Sequence, residues 1–126
     1  MTAEELILNG ISKATDPGSG GRHMSNHFAK PEWYIENISS ATGTHDLHAA
    51  GVARAMVYYD HKGVVITSHG ESASSEGFVY EAVNGASLER LPVILYGRIM
   101  DMVYLFRRKT RRQPVKWRIT SPDSRI

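Results

Sequence analysis

The 126-residue sequence contains no cysteine, and this absence excludes disulfides, thiolate metal sites and a cysteine nucleophile together. It also contains no apolar run of about 18 residues, the length that a membrane-spanning helix needs. The opening residues, MTAEELILNG, lack the basic stretch followed by an apolar stretch that marks a secretory signal. The length predicts a single globular domain. The missing cysteines, membrane span and secretory signal make the cytoplasm its expected location.

The charges are divided unevenly along the chain. Residues 1–96 carry six lysines and arginines against eleven aspartates and glutamates, a net charge of −5, whereas residues 97–126 carry nine against two, a net charge of +7. A basic tail on an acidic body is typical of nucleic-acid-binding proteins, and the run RRKTRR at 107–112 could contact phosphates. The competing hypothesis is a disordered basic tail without a function.

Local patterns predict two helices and a loop in the first half of the chain. Thr2 followed by Glu5 fits a capping box, which predicts a short helix at the N-terminus. The glycine-rich residues 16–21 predict a loop. Asp46 is predicted to cap a second helix that runs to about Tyr59.

A strand, a helix and a second strand are predicted to follow. Residues 64–67, VVIT, form a continuous β-branched run, which is typical of a parallel strand buried on both faces. Residues 68–75 predict a polar loop, residues 76–89 a helix, and residues 91–96, LPVILY, a second strand. This order predicts an α/β fold with a parallel sheet and flanking helices.

The loop after the first predicted strand has the composition of a cation and phosphate site. It reads HGESASSEG over residues 69–77 and offers hydroxyls, two carboxylates and the start of a helix. Oxygen ligands suit Mg²⁺, which in turn would hold a diphosphate, and a solvated serine-rich loop is the alternative. The loop lacks the closing glycine of a G-x-S-x-G nucleophile elbow and the lysine of a P-loop, so neither enzyme class is supported.

Five segments carry a resemblance to a known family. They are GGRHMSNHF at 20–28, ISSATGTH at 38–45, AAGVARAM at 49–56, GESASSEG at 70–77 and EAVNGASLERLPVI at 81–94. Their order and spacing resemble the alpha-type subunit of the thiamine-diphosphate-dependent decarboxylating component of 2-oxoacid dehydrogenase complexes. The branched-chain (2-oxoisovalerate) form is more similar than the pyruvate form. The resemblance implies a partial thiamine-diphosphate-binding fold.

The resemblance also implies where the cofactor would be held. Glu71 takes the position of a Mg²⁺ ligand. Beside it, Gly70, Ser72, Ala73 and Ser74 take positions next to the diphosphate of thiamine diphosphate, with Ser72 in place of a usual glycine. This serine is expected to hinder the approach of the backbone to the diphosphate.

Three further residues and the partners follow from the same resemblance. Ser40 and Thr42 lie in the segment similar to the loop that contacts the aminopyrimidine of the cofactor, and His27 matches a histidine near the cofactor pocket, the candidate catalytic residue. The implied activity is oxidative decarboxylation of a 2-oxoacid with transfer of the acyl group to lipoyl. The implied partners are a beta-type subunit and the lipoyl acyltransferase component, with neither membrane nor nucleic acid.

The resemblance stops after the second predicted strand. There the family places an asparagine, typically in Asp-Asn-Gly-Tyr-Gly, that supplies a second metal ligand. This chain reads YGRIMDM at 96–102 and has no asparagine after Asn84. With one carboxylate ligand, the chain is predicted to be an inactive fragment, because Mg²⁺ demands near-octahedral coordination.

A shift of reading frame accounts for the loss. Joining the third base of each codon to the first two of the next forces glycine at the junctions of Met100 with Asp101 and of Met102 with Val103, at the spacing of the missing motif. We therefore predict that residues 1–96 are a fragment of the dehydrogenase domain and that residues 97–126 are an out-of-frame, disordered basic tail.

Two other hypotheses stay open at this point. Nucleic-acid binding by the basic tail is argued from charge alone. A transition-metal site is argued from the six histidines, which include His45-x-x-His48 and His23-x-x-x-His27, although dispersed histidines without cysteine are more often structural or solvent-facing.

Overall fold

The computed structural model describes residues 1–98, together with the backbone of residues 102–103 and 106–107. The chain divides into two compact units, Met1–His45 and Asp46–Ile126. Each unit is described by itself.

The first unit opens with helix α1 (Ala3–Gly10), which begins at the predicted capping box. The hydroxyl of Thr2 accepts from the Glu5 amide at 3.2 Å, and the Glu5 carboxylate accepts from the Thr2 amide at 2.7 Å. Lys30 donates to the same carboxylate at 2.5 Å, and this hydrogen bond holds the pKa of Glu5 below its ordinary value. The N-terminal helix is therefore confirmed, and its cap is tied to a residue 25 positions away.

The predicted loop at residues 16–21 is ordered around one buried carboxylate. Asp16 accepts from the amides of Gly18 and Ser19, at 3.0 and 3.1 Å, and from the Ser19 hydroxyl at 2.7 Å. The buried Asn9 side chain of α1 donates to the same carboxylate at 3.3 Å. Gly21 closes the loop with φ +74°, where a Cβ would lie 2.5 Å from the Ser12 carbonyl oxygen, so only glycine fits there.

Acidification is expected to weaken this loop. Hydrogen bonds lower the pKa of Asp16 below its ordinary 3.8, and the bond from the Ser19 hydroxyl has the largest effect. The stabilisation is therefore complete above about pH 4 and is lost as the pH falls through the lower, folded pKa. Asp16→Asn is expected to lower the free energy of unfolding at neutral pH by roughly 1–3 kcal/mol.

Urea unfolding of the chain at neutral and acidic pH measures both effects. The exposed Asp60 gives the matched control, and Asp60→Asn should keep the acid dependence of the unmodified chain. An acid dependence in Asp16→Asn as steep as that of the unmodified chain would contradict the assignment.

The first unit also contains a short 3₁₀ helix (Pro31–Trp33) within an otherwise irregular segment. Helix α2 (Thr44–Tyr58) begins at the end of this unit and continues into the second; its first residue lies two positions before Asp46, the predicted cap. Thr44 closes the turn that leads into the helix, since its hydroxyl donates to the Ala41 carbonyl at 2.7 Å. Asp46 is therefore not the cap: it lies inside the helix and is fully buried.

The second unit confirms the predicted order of strand, helix and strand. Strand β1 (Val65–Gly70) is followed by a 3₁₀ helix (Ala73–Ser75), helix α3 (Gly77–Leu88) and strand β2 (Val93–Arg98). β1 and β2 pair in parallel, so the predicted α/β arrangement of a parallel sheet with flanking helices is confirmed.

Strand β1 is longer than predicted, and the prediction of a loop from residue 68 was wrong at its start. Ser68, His69 and Gly70 continue the ladder, opposite Tyr96, Gly97 and Arg98. Backbone pairing extends the strand because it does not depend on whether the side chains are apolar.

The prediction that β1 is buried on both faces was also wrong. Burial alternates along the strand: Val65 and Thr67 are half-buried and His69 is buried, whereas Ile66 is 72% exposed. In β2, Ile94 and Tyr96 are exposed in the same alternating way. Within the described residues the helices therefore leave one face of the sheet open, and the β-branched run reports strand propensity rather than two-sided burial.

Both helices of the second unit bury small residues at helical spacing. α2 buries Ala49 and Ala53 in line with Asp46, and α3 buries Val79, Ala82 and Ala86. Small side chains permit close approach of the helix backbone to its neighbours.

The predicted tail lies mostly outside the described residues. Its first two residues, Gly97 and Arg98, end β2. Further on, strand β3 (Met102–Val103) pairs antiparallel with strand β4 (Phe106–Arg107). The boundary at residue 96 and the disorder of the tail stay predictions. No helix in the described part of the chain is long and apolar enough to cross a membrane.

Candidate functional site

The carboxyl ends of β1 and β2 lie level with each other. Gly70 is the last residue of β1 and stands opposite Arg98, the last residue of β2. The Glu71 amide donates to the Arg98 carbonyl at 2.8 Å and so adds one more backbone bond beyond the strands. Ligands of open parallel sheets bind at this edge, where strands end and helices begin.

Glu71 is held in place by the turn that follows it. Its side chain is buried, with 9% of the residue exposed. The buried Ser74 hydroxyl donates to the Glu71 carbonyl at 2.5 Å, and the amide of Ser75 donates to the Ser72 carbonyl at 3.0 Å. The predicted site residues Gly70, Glu71, Ser72, Ala73 and Ser74 thus form one continuous turn.

Ser72 adopts an ordinary backbone conformation. Its φ of −61° and ψ of −44° lie in the right-handed helical region, which any residue adopts without strain. The backbone at this position therefore does not require a glycine, and the expected hindrance to the diphosphate stays a prediction. The turn leads into Glu76, which precedes α3 in extended conformation.

A buried carboxylate–imidazole pair includes His69, which lies two residues before Glu71. Asp46 Oδ2 of α2 is 2.7 Å from His69 Nδ1 of β1, with 0% of the Asp46 side chain and 6% of the His69 side chain exposed. The Thr67 hydroxyl donates to the other carboxylate oxygen at 3.2 Å. At 2.7 Å a proton must lie between the nitrogen and the carboxylate, because two lone pairs would repel each other.

Sequence reasoning missed this pair. The local pattern indicates Asp46 only as a helix cap and His69 only as a residue of the loop after the first strand. The available signal was the spacing: Asp46 stands at the head of the Ala49 and Ala53 stripe, and His69 has the same parity as Val65 and Thr67.

In the first unit, the structure brings together two of the three predicted residues. His27 Nε2 lies 3.2 Å from the Ser40 hydroxyl, and His27 Nδ1 lies 3.1 Å from the Ser25 carbonyl oxygen. The Ser40 hydroxyl also lies 3.0 Å from the Met24 sulfur. Because a carbonyl only accepts, Nδ1 carries the proton and Nε2 is left to accept from Ser40. Thr42 is exposed.

The two histidines of the alternative His45-x-x-His48 metal site differ in burial. His45 is half-buried and His48 is exposed on α2. An exposed imidazole such as that of His48 is typical of a helix surface. The hypothesis stays a prediction.

Comparison with known proteins identifies the family. The model of the dehydrogenase E1 component family matches residues 1–97. The chain is 38% identical over 94 residues to the 2-oxoisovalerate dehydrogenase subunit alpha of Bacillus subtilis (strain 168), covering 75% of this chain and 28% of that protein. It is 38% identical over 95 residues to a probable mitochondrial pyruvate dehydrogenase E1 component subunit alpha of Caenorhabditis elegans, covering 74% and 23%.

A third relative is the 3-methyl-2-oxobutanoate dehydrogenase subunit alpha of Mycobacterium tuberculosis (strain CDC 1551 / Oshkosh), 39% identical over 59 residues, or 47% of this chain and 16% of that protein. The chain belongs to the dehydrogenase E1 component family. It spans about a quarter of the length of the first two relatives. Identity to the 2-oxoisovalerate and pyruvate proteins is equal, so it does not separate the two substrates.

The side chains of the turn fit a metal ion bound to the diphosphate of thiamine diphosphate, the cofactor that the family implies. Glu71 supplies a carboxylate, the oxygen ligand that Mg²⁺ prefers, at the carboxyl end of a parallel strand. It is one protein ligand of about six that Mg²⁺ takes. Arg98, which stands opposite Gly70 at the end of β2, is exposed.

Removing the Ser74 hydroxyl is expected to loosen the turn. Ser74→Ala breaks its bond to the Glu71 carbonyl and should cost about 1 kcal/mol of unfolding free energy. Hydrogen exchange of the Glu76 amide, which donates to the Ala73 carbonyl at 2.9 Å, should accelerate. Ser75→Ala, at an exposed neighbour, is the control and should leave that exchange rate unchanged. Equal rates in both variants would argue against the role of Ser74.

Proposed function

We propose that the chain is part of the alpha-type subunit of a 2-oxoacid dehydrogenase, the component that decarboxylates a 2-oxoacid and passes the acyl group to lipoyl. The observation that carries this proposal is the turn after β1, where a buried Glu71 follows the last residue of the strand within a segment that the family match covers. The names of the relatives support a branched-chain 2-oxoacid or pyruvate as substrate.

The residues of this chain would act by holding the cofactor. Glu71 would ligate Mg²⁺, and the backbone from Gly70 through Ser74 would face the diphosphate. When bound, thiamine diphosphate supplies the electron sink that decarboxylation of a 2-oxoacid requires.

In the first unit, Ser40 and Thr42 would orient the aminopyrimidine of the cofactor. The contact of His27 Nε2 with the Ser40 hydroxyl supports a role for His27 as a group that accepts a proton at Nε2.

We further propose that the chain is inactive alone. A single Glu71 carboxylate leaves most of the Mg²⁺ coordination to diphosphate and water. A beta-type subunit would complete the pocket, and a lipoyl acyltransferase component would accept the acyl group. The cytoplasm is the proposed location, which subcellular fractionation tests.

An out-of-frame segment from residue 97 onward is proposed as the reason for the missing second ligand. The end of the family match at residue 97 supports this proposal. Sequencing the locus tests it: the neighbouring frame should encode Asn-Gly-Tyr-Gly beyond Tyr96, and a frame without that motif would refute the idea. The alternative of nucleic-acid binding receives no support from the comparisons.

Calorimetry with thiamine diphosphate and Mg²⁺ tests the proposed state of the site. We expect binding weaker than micromolar, because one carboxylate cannot complete the coordination of the metal. Micromolar binding would refute the inactive-fragment proposal while supporting the cofactor assignment.

Paramagnetic broadening locates even weak binding. In the presence of thiamine diphosphate, Mn²⁺ should broaden the amide NMR signals of Ser72 and Ser74, and Glu71→Gln should abolish this effect. The exposed Glu81 on α3 provides the control, and Glu81→Gln should broaden as the unmodified chain does. Broadening that persists in Glu71→Gln would remove Glu71 from the site.

A further inference from the structure

We propose that Asp46 is a positioning residue: it fixes the His69 imidazole and, through it, the place of Glu71 at the carboxyl end of β1. The importance of Glu71 rests on the proposed function, whereas the positioning itself does not depend on a bound cofactor.

Burial of the Asp46–His69 pair is energetically unfavourable unless hydrogen bonds compensate for it. Asp46 is fully buried and His69 almost so, and a buried carboxylate is tolerated only where hydrogen bonds compensate for its lost hydration. Two such contacts come from β1, one from His69 and one from Thr67. Because these residues stand at alternate positions on the inner face of the strand, a single carboxylate holds two points of β1 against α2.

The imidazole is confined from its other side by β2. His69 stands opposite Gly97 in the ladder, and a Cβ on Gly97 would lie 3.3 Å from His69 Nε2. The ring therefore occupies the space above a residue without a side chain, while Nδ1 faces Asp46. Contacts on both sides leave the ring one orientation.

The orientation of His69 is passed to Glu71 along two residues of backbone. His69 is buried, Gly70 is half-buried and Glu71 is buried, so the alternation of β1 continues one step past the strand. The Glu71 amide is fixed to the Arg98 carbonyl at 2.8 Å, which makes this bond a direct reporter of the position of Glu71. If the His69 ring moves, this terminal bond is the first of the ladder to open, because the strand end frays most easily.

Amide hydrogen exchange on the full 126-residue chain measures the effect at both ends of the sheet. The Glu71 amide reports the carboxyl end, and the Val65 amide, which donates to the Pro92 carbonyl at 2.9 Å, reports the amino end. Asp46→Ala is expected to raise the exchange rate of Glu71 about tenfold relative to that of Val65. A merely structural role would accelerate both amides equally, and that result would overturn the proposal.

Two further variants define the contact. Asp46→Asn keeps an oxygen that accepts from His69 Nδ1 and should restore most of the protection of Glu71. Asp60→Ala removes an exposed carboxylate and should leave both rates unchanged. Acceleration in Asp60→Ala as large as in Asp46→Ala would also overturn the proposal, since net charge rather than position would then be the cause.

Gly97→Ala keeps the test decisive if Asp46→Ala does not fold. The added methyl presses on His69 from the side opposite Asp46 and should accelerate Glu71 selectively, whereas an unchanged Glu71 rate would contradict the proposal. Because the exchange needs no cofactor, Mn²⁺ broadening that persists in Glu71→Gln refutes the role of Glu71 in the proposed function and leaves this result intact. Equal acceleration at both ends refutes the positioning role and leaves the proposed function intact.

Discussion

The parallel pairing of β1 with β2 is the constraint on which the second unit depends. The register sets Gly70 opposite Arg98, and this places the turn that carries Glu71 at an edge where backbone groups and a helix start converge. A shift by one residue would exchange the inner and outer faces of β1, so that His69 would leave Asp46 and the buried carboxylate would lose its partner. Register, burial of the pair and position of the turn are therefore one property of the fold.

Features that depend on neighbouring residues could be predicted from the sequence. The capping box of Thr2 and Glu5 and the loop at residues 16–21 are local, because the hydrogen bonds that define them join residues a few positions apart. The order of strand, helix and strand follows from composition and length alone. The position of Glu71 in a turn at a strand end was accessible because the motif around it is contiguous.

Features that depend on distant residues could not be predicted in the same way. Asp46 and His69 are 23 positions apart, and no local periodicity of the sequence indicates that an aspartate on α2 contacts a histidine on β1. The exposed face of β1 was misjudged for a related reason, since a β-branched run has the same appearance whether a strand is covered on one face or two. The contact of His27 with Ser40 joins irregular segments that carry no periodic signal.

The open face of the two-stranded sheet bears on how abundant the chain is in a cell. Ile66, Ile94 and Tyr96 form an apolar row that water contacts, at a cost of about 25 cal/mol for each Å² of apolar surface left exposed. Chaperones and proteases bind surfaces of this kind, and small differences in stability then change abundance several-fold. In the part of the chain that the structure describes, this row is therefore the surface on which quality control would act.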